Sequence, residues 1–251
     1  MEYLYAPDNL SLGQMAARWV AREILACPKL VLGLPTGSTP IGMYQHLTRL
    51  AQEGLISFAQ ARTFNLDEYV GLTAGHPQSY AFFMQEHFWS KVDLPKGNGD
   101  IPRGDVSDLA AECLRYDEAI QSAGGIGVQI LGLGPNGHIG FNEPSHNLEI
   151  HTHVVDLTAE TIQANTRFFP GSEAVPRQAI TMGVGSIMRA QRILLLVSGE
   201  SKRDILTKTL YGAVSTAIPA SILQLHSDLT VLTDIKISGS GPGPAVQKRF
   251  I

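Results

Sequence analysis

Hydrophobic positions along the chain follow two alternating rhythms. Between residues 11 and 26, Leu12, Met15, Ala16, Trp19, Val20 and Ile24 recur at three- and four-residue spacing behind Ser11, and predict an amphipathic helix with that serine as N-cap. Residues 30–34 are an apolar run too short for a helix, closed by Pro35, and predict a buried strand. A helix from about Pro40 to Ala51 follows, the proline suited to a first helical position. Residues 63–66 predict a second strand, and 79–90 and 108–122 predict helices. Asp108 caps the latter, and Leu109, Cys113, Tyr116 and Ile120 form its apolar stripe. In the second half, strands are expected at 127–132, 153–157, 178–182, 192–198 and 229–233, with helices at 185–190 and from Ser201 to about Tyr211. Residues 158–168 are polar with helical potential. Strands alternating with helices predict an α/β fold: a single-domain, doubly wound, mainly parallel sheet with helices on both faces. The domain is expected over 1–237. The Gly/Pro/Ser-rich stretch that opens 238–251 is expected to be a flexible tail.

Composition narrows the function. The 251 residues are 44% hydrophobic with a net charge of −4, which excludes the disorder regime. No basic excess or stripe points to nucleic acid. No window approaches the ~18 apolar residues of a membrane span. The first 25 residues carry Glu2, Asp8, Arg18, Arg22 and Glu23 and lack a signal peptide's apolar core. Cys27 and Cys113 read as free thiols, so a cytoplasmic protein is expected. Only 17% of residues are charged while 25 are glycine, so charges and glycines gathered at strand ends stand out.

In a doubly wound sheet, ligands bind beyond the carboxyl ends of the strands. The first strand runs into Gly33-Leu-Pro-Thr-Gly-Ser-Thr-Pro40, where Thr36, Gly37, Ser38 and Thr39 offer amides, hydroxyls and a helix N-terminus to an anion such as phosphate. It has neither the P-loop ending nor the dinucleotide glycine pattern. An ordinary capped turn is the plainer alternative. The second strand ends on Asp67 and Glu68, a pair suited to proton transfer or to plain capping; adjacent side chains point oppositely, so at most one should face the site. The third delivers Leu131-Gly-Leu-Gly-Pro-Asn-Gly-His-Ile-Gly-Phe-Asn-Glu-Pro144, with Asn136, His138 and Glu143 among four glycines. A histidine beside a carboxylate and an amide is a proton-shuttling set. A metal site lacks a second His or Cys at usable spacing, so no metal is expected. Arg167, in Asn165-Thr-Arg-Phe-Phe169, and Lys202, in the first turn of the helix after the 192–198 strand where the dipole disfavours a cation unless an anion is bound, fit a phosphate, although solvated surface charge is their default.

These segments resemble the glucosamine-6-phosphate deaminases. The resemblance runs in order over about residues 10–235: LGLPTGSTP at 32–40, FNLDEYVGL at 64–72, His-Pro-Gln-Ser-Tyr at 76–80, LGLGPNGHIGFNEP at 131–144, ANTRFF at 164–169, TMGVGSIM at 181–188 and IPASILQLH at 218–226. It implies a Rossmann-like fold of the sugar-phosphate isomerase type. It also implies deamination with aldose–ketose isomerisation of glucosamine 6-phosphate to fructose 6-phosphate and ammonia, without metal or cofactor. On the matching positions, Asp67 would move a proton between C2 and C1. His138 would serve ring opening, supported by Glu143 and Asn136. Thr36, Gly37, Ser38, Thr39, Arg167 and Lys202 would hold the phosphate. Some members carry Asp where this chain has Asn136. Residues 151–157 lack the basic side chains of hexameric, activated members, so an unregulated monomer is expected. The long connection 158–176, with Arg167 inside it, is expected to form a lid. Two other readings compete: a 6-phosphogluconolactonase-type hydrolase on the same fold, and a non-catalytic sugar-phosphate sensor. LDEYVGL and FNEP favour the deaminase over the first. The second would need a DNA-binding module and could dispense with Asp67 and His138.

Overall fold

The computed structural model describes residues 1–166, 169 and 175–237. Seven strands form a parallel sheet: β1 (Glu2–Tyr5), β2 (Val31–Leu34), β3 (Arg62–Asn65), β5 (Gly99–Asp100), β6 (Val128–Gly132), β9 (Arg192–Val197) and β10 (Leu229–Thr233). Their order is β1-β10-β9-β6-β2-β3-β5. The chain therefore winds outward in opposite directions from β2 and from β6. The reversal between these two strands opens a crevice at their carboxyl ends.

Side-chain alternation explains the two layers. Leu32, Leu34, Val128, Ile130, Leu194 and Leu196 turn to one face and pack beneath α1 (Asn9–Ala26), α2 (Ile41–Gln52) and α3 (Tyr80–His87). Val31, Leu131, Ile193, Leu195 and Val231 turn to the other, beneath α4 (Leu109–Ser122), α6 (Val184–Met188) and α7 (Arg203–Tyr211). The expected doubly wound sheet is thus present. Asp108 caps α4 as expected. Helix α1 starts three residues earlier than expected, because Asp8 and not Ser11 is its cap; the Asp8 carboxylate accepts the Ser11 amide at 2.7 Å.

Two expected strands lie elsewhere. β7 (His153–Asp156) and β8 (Gln178–Thr181) leave the parallel sheet and pair antiparallel with β4 (Asp67–Tyr69) in the order β4-β8-β7. β7 has no buried residue, so it cannot serve as a central parallel strand covered on both faces. Only Leu66 separates β3 from β4, and its carbonyl accepts the Met182 amide at 2.7 Å, which joins the small sheet to the large one. Tyr69, Phe141, Leu157 and Ala179 form a third apolar cluster against this small sheet. The polar stretch after β7 is helical as α5 (Ala159–Asn165). The tail at 238–251 lies outside the described residues.

Candidate active site

The start of the loop after β2 is fixed by hydrogen bonds to its carbonyls. Tyr44 of α2 donates its hydroxyl to the Pro35 carbonyl at 2.6 Å, and buried Asn65 donates to the Leu34 carbonyl at 3.1 Å. Gly37 has φ +96, a left-handed conformation that suits glycine and lets the turn present its amides. Thr36, Gly37, Ser38 and Thr39 line one wall of a cleft of about 220 Å³ at the strand-order reversal. Asp67, Tyr80, His138, Phe141, Thr161 and Lys202 also line it.

Lys202 was expected in the first turn of a helix. It ends a 3-10 turn (Glu200–Lys202) ahead of α7, and its ammonium donates to the Leu133 carbonyl at 2.8 Å. That contact removes the need for an anion to justify a lysine near a helix start. Arg167 lies outside the described residues, as does most of the expected lid beyond α5.

The two adjacent carboxylates divide as the pleat requires. Asp67 opens β4 and faces the cleft, 6% exposed. Burial, and then the neighbouring Glu68 charge, push its carboxyl up to about 8. Glu68 turns away and accepts the amides of Tyr69, Tyr80 and Ala81 at 2.8, 2.9 and 2.9 Å, tying β4 to the start of α3. Burial outweighs those three donors and raises Glu68 to about 7. The same tie brings Tyr80 to the cleft.

The glycine-rich loop after β6 folds His138 back over its own backbone. A Cβ on Gly134 would lie 2.2 Å from the imidazole, so the ring can sit there only over glycine. The ring's Nδ1 lies 3.3 Å from Glu143 Oε2, leaving Nε2 as the nitrogen available to a ligand in this loop. Asn136 and Glu143, expected among the site residues, do not line the cleft but stand behind the ring. Asn136 donates to Glu143 Oε2 at 2.6 Å and accepts the His138 amide at 3.2 Å. Thr161 donates its hydroxyl to the other Glu143 oxygen. Burial opposes charge on Glu143, but the His138 ring and the hydrogen bonds from Thr161 and Asn136 prevail and hold its carboxyl below the usual range.

Tyr80, Phe141 and Thr161 are cleft residues to which the sequence reading assigned no role. Tyr80 and Phe141 stack with ring centroids 6.0 Å apart. Tyr80 lies inside the quoted 76–80 run and follows Ser79, the α3 N-cap, but nothing in one dimension places it in the cleft. Thr161 reaches the site from α5, eighteen residues beyond Glu143.

Fold and cleft define an α/β protein with a buried aspartate, a histidine and a hydroxyl- and amide-rich loop gathered at the switch point of a doubly wound sheet. The chain belongs to the family of glucosamine-6-phosphate isomerases and 6-phosphogluconolactonases, which matches residues 7–232. It is 51% identical over 234 residues to the glucosamine-6-phosphate deaminase of Thermoanaerobacter sp. (strain X514), covering 93% of this chain and 92% of that protein. It is 45% identical over 234 residues to the same-named protein of Clostridium perfringens (strain 13 / Type A), covering 93% and 97%. A solved structure of a monomeric glucosamine-6-phosphate deaminase superposes with a TM-score of 0.90 at 46% identity, covering 93% of this chain and 97% of that one. The 6-phosphogluconolactonase of Thermotoga maritima superposes at 0.71 with 19% identity, covering 92% and 96%, a likeness of fold alone. Among the described residues, no helix is long and apolar enough to cross a membrane.

Proposed function

We propose that the protein deaminates and isomerises glucosamine 6-phosphate to fructose 6-phosphate and ammonia. The carrying observation is one cleft in which Asp67 and the His138 ring face the hydroxyl- and amide-rich loop 36–39. In this reading the loop, with Lys202 and Arg167, holds the phosphate and fixes the sugar chain across the cleft. The His138 ring exchanges protons at the ring and anomeric oxygens, and Glu143 and Asn136 keep it oriented. Asp67 then takes the proton from C2 of the open chain and returns it to C1, while the C1 carbonyl oxygen gains the proton that the C2 ammonium gives up; this leaves a hydroxymethyl group at C1 and an iminium carbon at C2. Water adds there, the carbon–nitrogen bond breaks, and ammonia leaves with the ketone formed. A carboxyl raised to about 8 suits a group that must both accept a carbon-bound proton and give it back. The reaction so written needs only these side chains and water. Identity of 45–51% to deaminases, against 19% to a lactonase fold, supports this reading over the hydrolase.

We further propose a cytoplasmic monomer. The absence of Lys and Arg from 151–157 and the likeness to a monomeric deaminase support the monomer. Two free cysteines support the compartment. A coupled assay of ammonia and fructose 6-phosphate tests the activity; release of neither would overturn it. Sedimentation at assay concentration tests the monomer, and a hexamer would sink it.

A further inference from the structure

We infer that Thr161 is a positioning residue whose hydroxyl holds the Glu143 carboxylate in the place from which it orients His138. The inference rests on the acid–base reading proposed above. Glu143 and Thr161 are 7% and 3% exposed, so neither can look to bulk water for a partner. The two carboxylate oxygens are divided between different elements. Oε2 takes the Asn136 amide at 2.6 Å and faces His138 Nδ1 at 3.3 Å, both within the loop after β6. Oε1 takes the Thr161 hydroxyl, which is its one donor among the described residues and comes from α5. Without that bond the carboxylate could pivot about the Asn136 contact and draw the imidazole with it.

The direction of the threonine's proton is set locally. A hydroxyl has one proton to give. Thr158, the α5 N-cap, points its own hydroxyl at Thr161 Oγ1 from 3.2 Å, so the Thr161 proton is directed to Glu143. Thr158 Oγ1 also accepts the Thr161 amide at 3.3 Å. Thr158, Thr161 and Glu143 thus form a short chain of donors that ends on the carboxylate behind His138. Thr161 also lines the cleft, but its hydroxyl is committed away from it.

The test compares T161V, T161S and T161A, each in the wild-type and the E143Q backgrounds. T161V keeps the shape and loses the proton; it is expected to lower kcat about tenfold with KM changed less than about twofold. T161S restores the proton and should return kcat to within about threefold of wild type. In E143Q the carboxylate is already gone, so T161V should cost less than about twofold more. A full tenfold loss in both backgrounds would mean that Thr161 serves packing alone and would overturn the inference, as would an undiminished kcat in T161V. If T161V does not fold, T161A and T161S decide by the same comparison. A readout free of turnover is the nitrogen NMR of the His138 ring, assigned with H138Q. T161V is expected to shift the Nδ1 signal and T161S to leave it near its wild-type position; no shift in T161V overturns the inference. Failure of the wild-type ammonia assay would sink the proposed activity and leave this NMR comparison standing.

Discussion

Asp67 and Glu143 are both buried, 6% and 7% exposed, one in β4 and the other in the loop that bears the imidazole, and their carboxyls are pushed in opposite directions. The Asp67 carboxyl receives no hydrogen bond among the described residues, and burial, then the neighbouring Glu68 carboxylate, lifts it to about 8. Glu143 is buried as well, yet two donors and a histidine hold it below the usual carboxylate range. Burial alone therefore does not decide charge; the donors aimed at the group do. One carboxylate is left able to exchange a proton with the cleft. The other is kept as a fixed negative charge behind a ring.

The largest expected effect is at Asp67. D67N should lower kcat for ammonia release about 10³-fold, with KM little changed, in the coupled assay. Stability should move the other way. A carboxyl whose folded value rises from 3.8 to about 8 contributes fully below pH ~4, and its contribution is lost as pH climbs to about 8. Denaturant unfolding should then find D67N close to wild type at pH 4.5 and more stable at pH 8. A constant difference across that range would mean Asp67 is not held neutral.

E143Q tests the opposite pole. Turnover should fall about 10²-fold. A carboxyl with a depressed folded value contributes stability above its ordinary pKa and loses it as pH falls through the folded one. E143Q should therefore be less stable than wild type by about 1–3 kcal/mol at pH 7, with the gap closing toward pH 3. Equal denaturation midpoints at pH 7 would show that the donors around Glu143 stabilise nothing.

The glycine-rich segment that bears His138 and Glu143 was the sharper signal in the sequence, and Asp67 was legible for a geometric reason. It stands at a strand's carboxyl end, where the sheet rule already looks for ligands, and the hydroxyl loop and His138 stand in the same relation to β2 and β6. The apolar run of β9 and the stripe of α4 were legible for similar local reasons. What sequence could not show depends on distant partners. β8 pairs with β4 across more than 100 residues, and β1 joins β10 from the far end of the chain. β5 is two residues long and carries no pattern. Glu143 and Asn136 were picked out as site residues, but their place behind the ring needs the loop folded. Thr161 lies in a polar stretch whose helix shows little apolar stripe.

A smaller effect is expected from E68Q, which probes how much of the Asp67 shift is the neighbour's charge. Burial is the larger cause, so Asp67 should stay raised, and the acid limb of the kcat/KM profile should move down by less than about one unit. Glutamine can keep Oε1, which serves Tyr69 and Tyr80, but puts an amide nitrogen where Oε2 accepts from Ala81. A modest drop in Tm should accompany the pH shift. A profile that does not move would assign the whole of the Asp67 shift to burial.

The smallest effect belongs to N136D, and it bears on Glu143 most directly. The Asn136 amide donates to Glu143 Oε2 at 2.6 Å, so an aspartate there sets two carboxylates in hydrogen-bond contact. Such a pair shares one proton near neutrality rather than carrying two charges. The His138 amide can still donate to the oxygen at position 136, so the loop should keep its shape. N136D is therefore expected to retain kcat within about fivefold of wild type, while the acid limb of its pH profile moves upward as the pair takes up its proton. If the profile stays where it is, the Asn136 donor is not part of what keeps Glu143 ionised, and the contrast with Asp67 falls to His138 and Thr161 alone.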